Sequence, residues 1–577
     1  MNEILGIGAS RGIGIGPVFQ YKITKIEFES CKVEDPTAEI NRIRKALPVA
    51  QSQLESVYEH AKNDPSTQAE AEIFQAQLMM LDDPEFWQQV DQKINDEYIN
   101  AESAISEVAK HYAEMLRAMD NEYFAARAAD VFDISNRVLK ILLGISDSPT
   151  EGLHQPSVII AQDLTPSDTI LIDKSMVIGF CTADGSATSH TAILARGLGL
   201  PAVAGAGSAI LKIHDGENVI LDGNNGLVIV EPDNATIESY QTRLNAAQLI
   251  KEKALSKAKE PAVTTDGVEV EIVANIGNVE GAEKAINFGA EGVGLLRTEF
   301  LYLERNNLPS EEEQYQAYKK IFDLFGNHPV VLRTLDIGGD KELPYLDMPK
   351  EMNPFLGLRA LRLCLVEPKI FKTQLRAALR AGKGRNIKIM FPMVATLSEI
   401  RAGKAVLEEC KNELIQEGKP FADDFEVGIM VEIPAAAVSA DRLAREVDFF
   451  SIGTNDLSQY TMAADRTNPT VAGLTNAFQP AVLRLINQVI KAAHQHGKWV
   501  GMCGELAGEP LAAPLLIGMG LDEFSMSSPM IPVIKQIIRG LNAIEMNVLA
   551  EEALDLDSPE EIQMLVKQRV PQADITV

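Results

Sequence analysis

The sequence predicts a multidomain protein of α/β plus all-α type, with an N-terminal α/β unit that carries an inserted helical bundle and a C-terminal (β/α)8 barrel. Three observations predict it. Apolar residues recur at helical spacing between Asp35 and Leu142, short apolar runs bounded by turn residues fill 150 to 233, and beyond Pro261 strand-like runs alternate with helix-length stretches. At 577 residues the chain exceeds what one hydrophobic core serves. The expected division is residues 1–29 with 146–233 for the α/β unit, 30–145 for the helical insertion, 234–260 for a helical linker and 261–577 for the barrel.

The first strand and turn lie in GIGASRGIGIG, residues 6–16. A dinucleotide-binding turn would close a buried strand and open a helix. Here only Ile4, Leu5 and Ile7 precede it, and Gly16-Pro17-Val18-Phe19 continues extended. The segment therefore reads as a glycine-rich strand and turn at the edge of an α/β unit. The helical region follows, with Asp35-Pro36, Asp64-Pro65 and Asp83-Pro84 each supplying a cap residue and a proline for the first helical position. Its apolar stripes are Ile40, Ile43, Leu47, Leu54 and Val57, then Ile105, Val108, Tyr112 and Met115, then Val131, Ile134, Val138 and Leu142, with a kink expected at Pro48. The α/β unit resumes with strands expected at 157–161, 176–180, 202–205 and a hairpin of 219–221 with 227–230. The polar Ala/Lys/Glu-rich stretch 234–260 is the expected connector, a place for a hinge. Eight barrel strands are expected at 271–276, 292–296, 330–335, 387–391, 427–431, 449–453, 499–502 and 524–526.

Lys and Arg total 53 against 82 Asp and Glu, a formal net charge of -29, which argues against nucleic acid or an anionic membrane surface as partner. The five cysteines form no CxxC pair, as expected in a reducing, cytoplasmic setting. No apolar run approaches membrane-spanning length, so no membrane insertion is expected.

The chemistry begins at Gly185-Ser186-Ala187-Thr188-Ser189-His190-Thr191-Ala192-Ile193-Leu194-Ala195-Arg196. A turn residue and hydroxyls precede the histidine and a helix-forming run follows, so His190 belongs at a helix N-terminus, with Thr188 or Ser189 as cap. Unpaired N–H groups and the helix dipole favour a phosphate there. With Leu200-Pro201-Ala202-Val203 behind it, this stretch resembles the phosphohistidine segment of the enzymes that exchange phosphate between phosphoenolpyruvate and a histidine. Those are Enzyme I of the sugar phosphotransferase system, pyruvate phosphate dikinase and phosphoenolpyruvate synthase.

The resemblance runs the whole length and favours Enzyme I. In the barrel half it is carried by the stretches Gly294 to Phe300, Leu332 to Lys341, Asn353 to Arg359, Met430 to Pro434, Gly453 to Tyr460 with Asp465-Arg466, and Gly501 to Glu505. It implies that His190 takes the phosphoryl group with Thr169 orienting its ring, and that phosphoenolpyruvate and magnesium bind in the barrel. A histidine-containing phosphocarrier protein then docks on the helical insertion, near Glu72-Ile73-Phe74 and Leu78 to Leu81, and a homodimer forms through the barrel. Three departures stand out: Gln77 where the family often has histidine, and Ser186 and Ala187 in place of Gly and a basic residue.

Planar guanidinium groups grip carboxylate and phosphate bidentately, so Arg297, Arg333 and Arg466 form the expected anion clamp, with Arg359 as a further candidate. Glu432 and Asp456 supply the pair of carboxylates that magnesium uses beside substrate oxygens and water. Asp456 also belongs to the substrate-binding group, and Asn455 is the expected donor to phosphate or carboxylate. Transfer leaves an enolate of pyruvate, and Cys503, a thiol of ordinary pKa near ~8.5, is the expected proton donor. Two other functions compete with this one. A dikinase-like relative would need a nucleotide-grasping domain, for which the first 150 residues offer a strand and a helical bundle. A regulatory phosphorelay protein of the nitrogen-related branch would carry a sensory domain ahead of the segment that begins at Met1.

Overall fold

The computed structural model describes residues 2–21, 26, 28–63, 71–118, 122–145, 153–164, 172–185, 190–303, 305, 307–339, 343, 345–346, 348–349, 351–466, 468 and 471–575. They form two compact units, an N-terminal one reaching to Leu244 and a C-terminal one, Asn245–Ile575.

The N-terminal unit has an eight-stranded sheet built from β1 (Asn2–Leu5), β2 (Ile7–Ser10), β3 (Ile13–Gln20), β4 (Ser157–Ala161), β5 (Val177–Thr182), β6 (Ala202–Ala204), β7 (Asn218–Asp222) and β8 (Leu227–Val230). Their order is β1-β8-β7-β3-β4-β5-β6-β2, with β3 to β6 parallel and the flanking strands antiparallel. The glycines of residues 6–16 make room for other chain. A Cβ on Gly16 would lie 2.4 Å from the Ile178 side chain, and one on Gly8 would lie 2.5 Å from the Gly223 carbonyl oxygen. The turn between β2 and β3 leads into a strand, not a helix, so close strand packing is what these glycines serve. The hairpin turn between β7 and β8 is held by buried Asp222, whose Oδ1 accepts from the Asn224 and Asn225 backbone N–H groups at 3.1 and 3.2 Å.

Between β3 and β4 the described residues form five helices, α1 (Pro36–Asn63), α2 (Ala71–Leu81), α3 (Pro84–Glu97), α4 (Ala101–Ala118) and α5 (Glu122–Leu143). Asp35 Oδ1 accepts from Thr37 and Ala38 N–H at 3.0 and 3.2 Å, and Asp83 Oδ1 from Glu85 N–H at 2.9 Å, the capping that Asp-Pro predicts. Asp64-Pro65 lies outside the described residues. α1 runs through Pro48 to Asn63. The core takes Ile40, Ile43, Leu54, Val57, Phe74, Val90, Ile94, Ile105, Val131 and Val138. Met115, assigned to the apolar stripe by spacing, is 43% exposed, and fully buried Ala113 fills the inner face of that turn instead. Two more helices complete the part that bears on function, α6 (His190–Leu198) and the connector α7 (Asn234–Ser256).

In the C-terminal unit, β9 (Ala262–Val263) pairs antiparallel with β10 (Glu269–Ile276). Strands β11 (Val293–Leu296), β12 (Val330–Arg333), β13 (Ile387–Phe391), β14 (Glu426–Val431), β15 (Phe449–Ile452), β16 (Trp499–Met502) and β17 (Glu523–Met526) follow. All eight from β10 onward are parallel, and β17 pairs back onto β10, which closes the barrel. Its interior is filled by Leu295, Val331, Met390, Met430, Phe449 and Cys503, with Trp499 stacked on Phe449 at 4.5 Å. The eight strands expected from sequence are the eight observed, each shifted by at most two residues at either end. No helix among the described residues is long and apolar enough to cross a membrane.

One buried carboxylate at the opposite end of the barrel from the strand C-termini makes its stability depend on pH. Glu523 opens β17, is 2% exposed, and neither side-chain oxygen has a hydrogen-bond partner. A Cβ on Gly294 or Gly501 would come within 2.7 or 2.6 Å of Glu523 Oε1, so two glycines admit this side chain into the interior. Burial first, then Glu271 and Glu426, push its pKa up to about 8 against the pull of Lys388. The folded chain therefore holds a proton that the unfolded chain releases near its ordinary pKa. Stability is greatest below that value and falls as pH rises toward 8, by up to ~1.4 kcal/mol per pH unit. Glu523→Gln is expected to melt with wild type at pH 4.5 and several degrees above it at pH 8, measured on the barrel transition by calorimetry. A melting difference independent of pH would mean that Glu523 keeps its charge in the fold.

Candidate active site

The candidate site lies at the C-terminal ends of the barrel strands, where a (β/α)8 barrel displays its loops. Arg333 is the last residue of β12, Glu432 and Cys503 are the first residues after β14 and β16, and Arg297 directly follows β11. Asn455 and Asp456 stand in the first turn of the helix Thr454–Met462 behind β15, and Arg466 lies just beyond that helix. Closure of the barrel brings these residues together, although they span positions 297 to 503.

Two guanidiniums are buried there, Arg333 at 6% and Arg359 at 3% exposure. Arg333 donates Nη2 to Glu299 Oε1 at 3.1 Å, and its Nη1 stands 3.1 Å from Asp336 Oδ2. Arg359 grips Asp336 through Nε and Nη2 at 3.0–3.2 Å and donates Nη1 to the Tyr460 hydroxyl at 3.2 Å. Burial opposes the charge on both arginines, but the acids around them outweigh it and keep both charged, Glu299 and Asp336 beside Arg333, Asp336 and Asp456 beside Arg359. Asp456 Oδ1 sits between two further guanidinium contacts, 3.6 Å from Arg359 Nη1 and 3.6 Å from Arg466 Nη1. Arg297 and Arg466 are more open than the buried pair, with Arg466 about one-third exposed.

Of the remaining expected residues, Asn455 is already engaged. Its Nδ2 donates to Glu505 Oε1 at 3.3 Å and its Oδ1 accepts from Glu505 N–H at 3.1 Å, which ties it to the loop after β16. Cys503 is 4% exposed, and burial pushes its thiol up to about 11, with Ser451, Arg333 and Arg297 pulling the other way. That is well above the ordinary thiol value expected from sequence. The difference comes from desolvation, which spacing does not reveal. His190 is the first described residue of α6, so it lies on that helix. Its imidazole, Thr169, Ser186, Ala187 and the expected caps Thr188 and Ser189 lie outside the described residues.

Glu432 is 1% exposed and its Oε1 accepts from Met393 N–H at 2.7 Å. Burial, then Asp456 and Asp336, raise its pKa against Arg333 and Arg359. Asp456 Oδ1 is buried without a hydrogen bond, and Gly453 leaves space beside Glu432 Oε2 that any Cβ would narrow to 3.1 Å. Unspent oxygens among crowded buried carboxylates suit a divalent cation. Among the described residues no group of three or more His, Cys, Asp or Glu could hold a metal by itself, so such an ion would draw on substrate oxygens and water.

Sequence reasoning assigned no role to Glu299, Asp336 or Tyr460, and placed Arg359 behind the other arginines. All four stood inside or beside the motif stretches. The signal that separates them, burial with a specific partner, arises only when the strands close.

This constellation has counterparts along the whole chain. The family described as PEP-utilising enzyme, PEP-binding domain, matches residues 251–543, its N-terminal domain matches 5–127 and its mobile domain matches 153–226. A phosphoenolpyruvate-protein phosphotransferase of Bacillus subtilis (strain 168) is 48% identical over 98% of this chain and 100% of its own length. Those of Priestia megaterium and Staphylococcus carnosus (strain TM300) are 49% and 46% identical, each over 98% of this chain and over 98% and 99% of their own lengths. The chain belongs to the Enzyme I family. It is therefore a phosphoenolpyruvate-dependent phosphotransferase of the sugar phosphotransferase system. The dikinase-like alternative falls away, because Enzyme I relatives match this chain from end to end. In the helical insertion, Enzyme I helix α2 buries Phe74 and Leu81 in the bundle core and leaves Met79 72% exposed. Gln77 is buried and donates Nε2 to Asp130 and Asp133 of α5 at 3.0 and 3.2 Å, which joins two helices of the bundle.

Proposed function

We propose that His190 attacks the phosphorus of phosphoenolpyruvate bound at the barrel rim, that Cys503 protonates the enolate left behind, and that phospho-His190 passes its group to a histidine of a small phosphocarrier protein. The observation that carries this reading is the gathering of buried Arg333, Arg359, Glu432, Asp456 and Cys503 at the C-terminal ends of the strands. Arg333 meets the substrate phosphate from inside, while Arg297 and Arg466, at the open edge, receive its carboxylate and remaining phosphoryl oxygens. Asn455 swings its amide from Glu505 to the substrate, a short move for a group held by two long hydrogen bonds. Glu432 and Asp456 would hold magnesium, which would offset charge on the transferring phosphoryl group.

In the step itself, a lone pair of a neutral ring nitrogen of His190 forms the N–P bond as the enol C–O–P linkage breaks at P–O, and the bond electrons stay on the enolate oxygen. The enolate carbon takes the proton from the Cys503 thiol, which gives pyruvate and a thiolate that solvent reprotonates. Thr169 orients the imidazole. The helix start at His190 supplies N–H groups that steady the phosphoryl group. The helical insertion receives the phosphocarrier on the α2 face that exposes Met79, the chain's acidic balance suits a basic partner, and the protein works as a cytoplasmic homodimer joined through its barrels.

Incubation with labelled phosphoenolpyruvate and magnesium, without any nucleotide, tests the reading. Expected is acid-labile, base-stable label approaching one per chain, with an equal amount of pyruvate. Bound substrate with neither label nor pyruvate would instead fit a regulatory phosphorelay relative that has lost the transfer step.

A further inference from the structure

The four buried charges Glu299, Arg333, Asp336 and Arg359 form an alternating chain, at 4%, 6%, 2% and 3% exposure. Glu299 Oε1 accepts from Arg333 Nη2 and from the Asp336 backbone N–H, both at 3.1 Å, so one oxygen fixes a guanidinium and the loop that carries the next acid. Asp336 then holds Arg359 on two donors and Arg333 Nη1 at 3.1 Å. The loop is braced from below. Thr298 Oγ1 donates to the Arg333 carbonyl at 3.0 Å, and Gln374, wholly buried, donates to Thr298 Oγ1 at 3.0 Å while its Oε1 accepts from Leu335 N–H at 2.8 Å. Gly338, with φ 113°, lets the loop approach Arg359 so closely that a Cβ there would lie 2.5 Å from the Arg359 Cβ.

Stability does not explain such an array, because a buried ion pair gains little over apolar residues of the same volume. Orientation does. A free arginine side chain samples many rotamers, and phosphoryl transfer is catalysed mainly by groups already aimed at the transition-state charge. We propose that Glu299 and Asp336 are positioning residues that hold Arg333 and Arg359 in the orientation phosphoryl transfer requires. This rests on the assignment of the arginines to the phosphoryl group made above.

The test is the single-turnover rate of His190 labelling, with phosphoenolpyruvate affinity measured separately, in Asp336→Asn, Glu299→Gln, Arg333→Lys, Arg359→Lys and the double variants. Asp336→Asn is expected to slow labelling about 100-fold and Glu299→Gln about tenfold, the loss expected of misplaced catalytic groups, while substrate affinity changes much less. In the Arg359→Lys background, Asp336→Asn should cost clearly less than it does in the wild-type background, since one of the two guanidiniums it positions is already gone. Independent, multiplying losses would make the acids merely structural and overturn the proposal, as would wild-type rates in both single acid variants. If Asp336→Asn does not fold, Glu299→Gln with Glu299→Gln/Arg333→Lys decides by the same comparison. Wild-type rates in both arginine variants would sink the clamp assignment itself, a different outcome from slow arginine variants beside unaffected acid variants.

Discussion

Replacing His190 by alanine is expected to abolish acid-labile label from phosphoenolpyruvate while leaving the affinity of the barrel for phosphoenolpyruvate within about twofold of wild type, the scatter expected where no contact is lost. The two halves of that result have separate physical origins. His190 lies in the N-terminal compact unit and the arginine and carboxylate cluster in the C-terminal one, each with its own core. Removing the imidazole takes away the only nucleophile assigned to the reaction and leaves every arginine and carboxylate of the barrel cluster in the sequence. Alanine is a good helix former at the start of α6, so the variant keeps its fold. Label counted after acid and after base treatment, beside calorimetric titration with phosphoenolpyruvate and magnesium, reads both halves. Equal label on variant and wild type would move the phosphoryl acceptor to another residue.

Serine in place of Cys503 is expected to lower the steady-state rate of pyruvate formation by about 10²- to 10⁴-fold, the usual worth of a positioned general acid, with phosphoenolpyruvate affinity nearly unchanged. Serine keeps the shape of the side chain but is a far weaker acid than a thiol. The thiol also has a pH signature. Burial pushes its pKa up to about 11, and the protonated form is the active one, so its contribution is complete at neutral pH and is lost as pH rises through that value. The wild-type rate should therefore show no falling alkaline limb from this group below pH ~10. A limb near the ordinary thiol range that vanishes in the serine variant would place Cys503 in a wetter setting than the barrel core. Full activity in the serine variant would assign the proton transfer to another group.

Most of the barrel was legible because its strands are buried on both faces and read as short, continuous apolar runs between helix-length stretches. Ile387–Phe391 and Trp499–Met502 match their expected bounds, and the others differ at their ends because hydrogen bonding to neighbours, not hydropathy, sets where a strand stops. The helical bundle was legible for the same kind of reason, with Asp35 and Asp83 capping helices that begin in Asp-Pro. Met115 shows the limit. A 3.6-residue period fixes a face to within a residue, and whether Met115 or Ala113 turns inward depends on the helices it meets.

The candidate site divides along the same line. Chemistry visible in residue type, such as guanidinium pairs for an anion, paired carboxylates for a hard cation and a thiol for a carbon acid, together with the family resemblance, can be read in one dimension, and by itself the sequence determined the family, the barrel and the residues worth naming. Only the tertiary structure decided that Arg359 is buried against Asp336, that Glu299 holds both Arg333 and the Asp336 backbone, that Asn455 is held by Glu505, and that Cys503 and Glu523 are desolvated. Arg359 meets Tyr460 across 101 residues of chain, and Asn275 meets the Cys503 carbonyl across 228. Contacts of that separation form only when strands far apart in the chain assemble into the barrel, and pKa values and orientation follow from those contacts, because both depend on what surrounds a group in space.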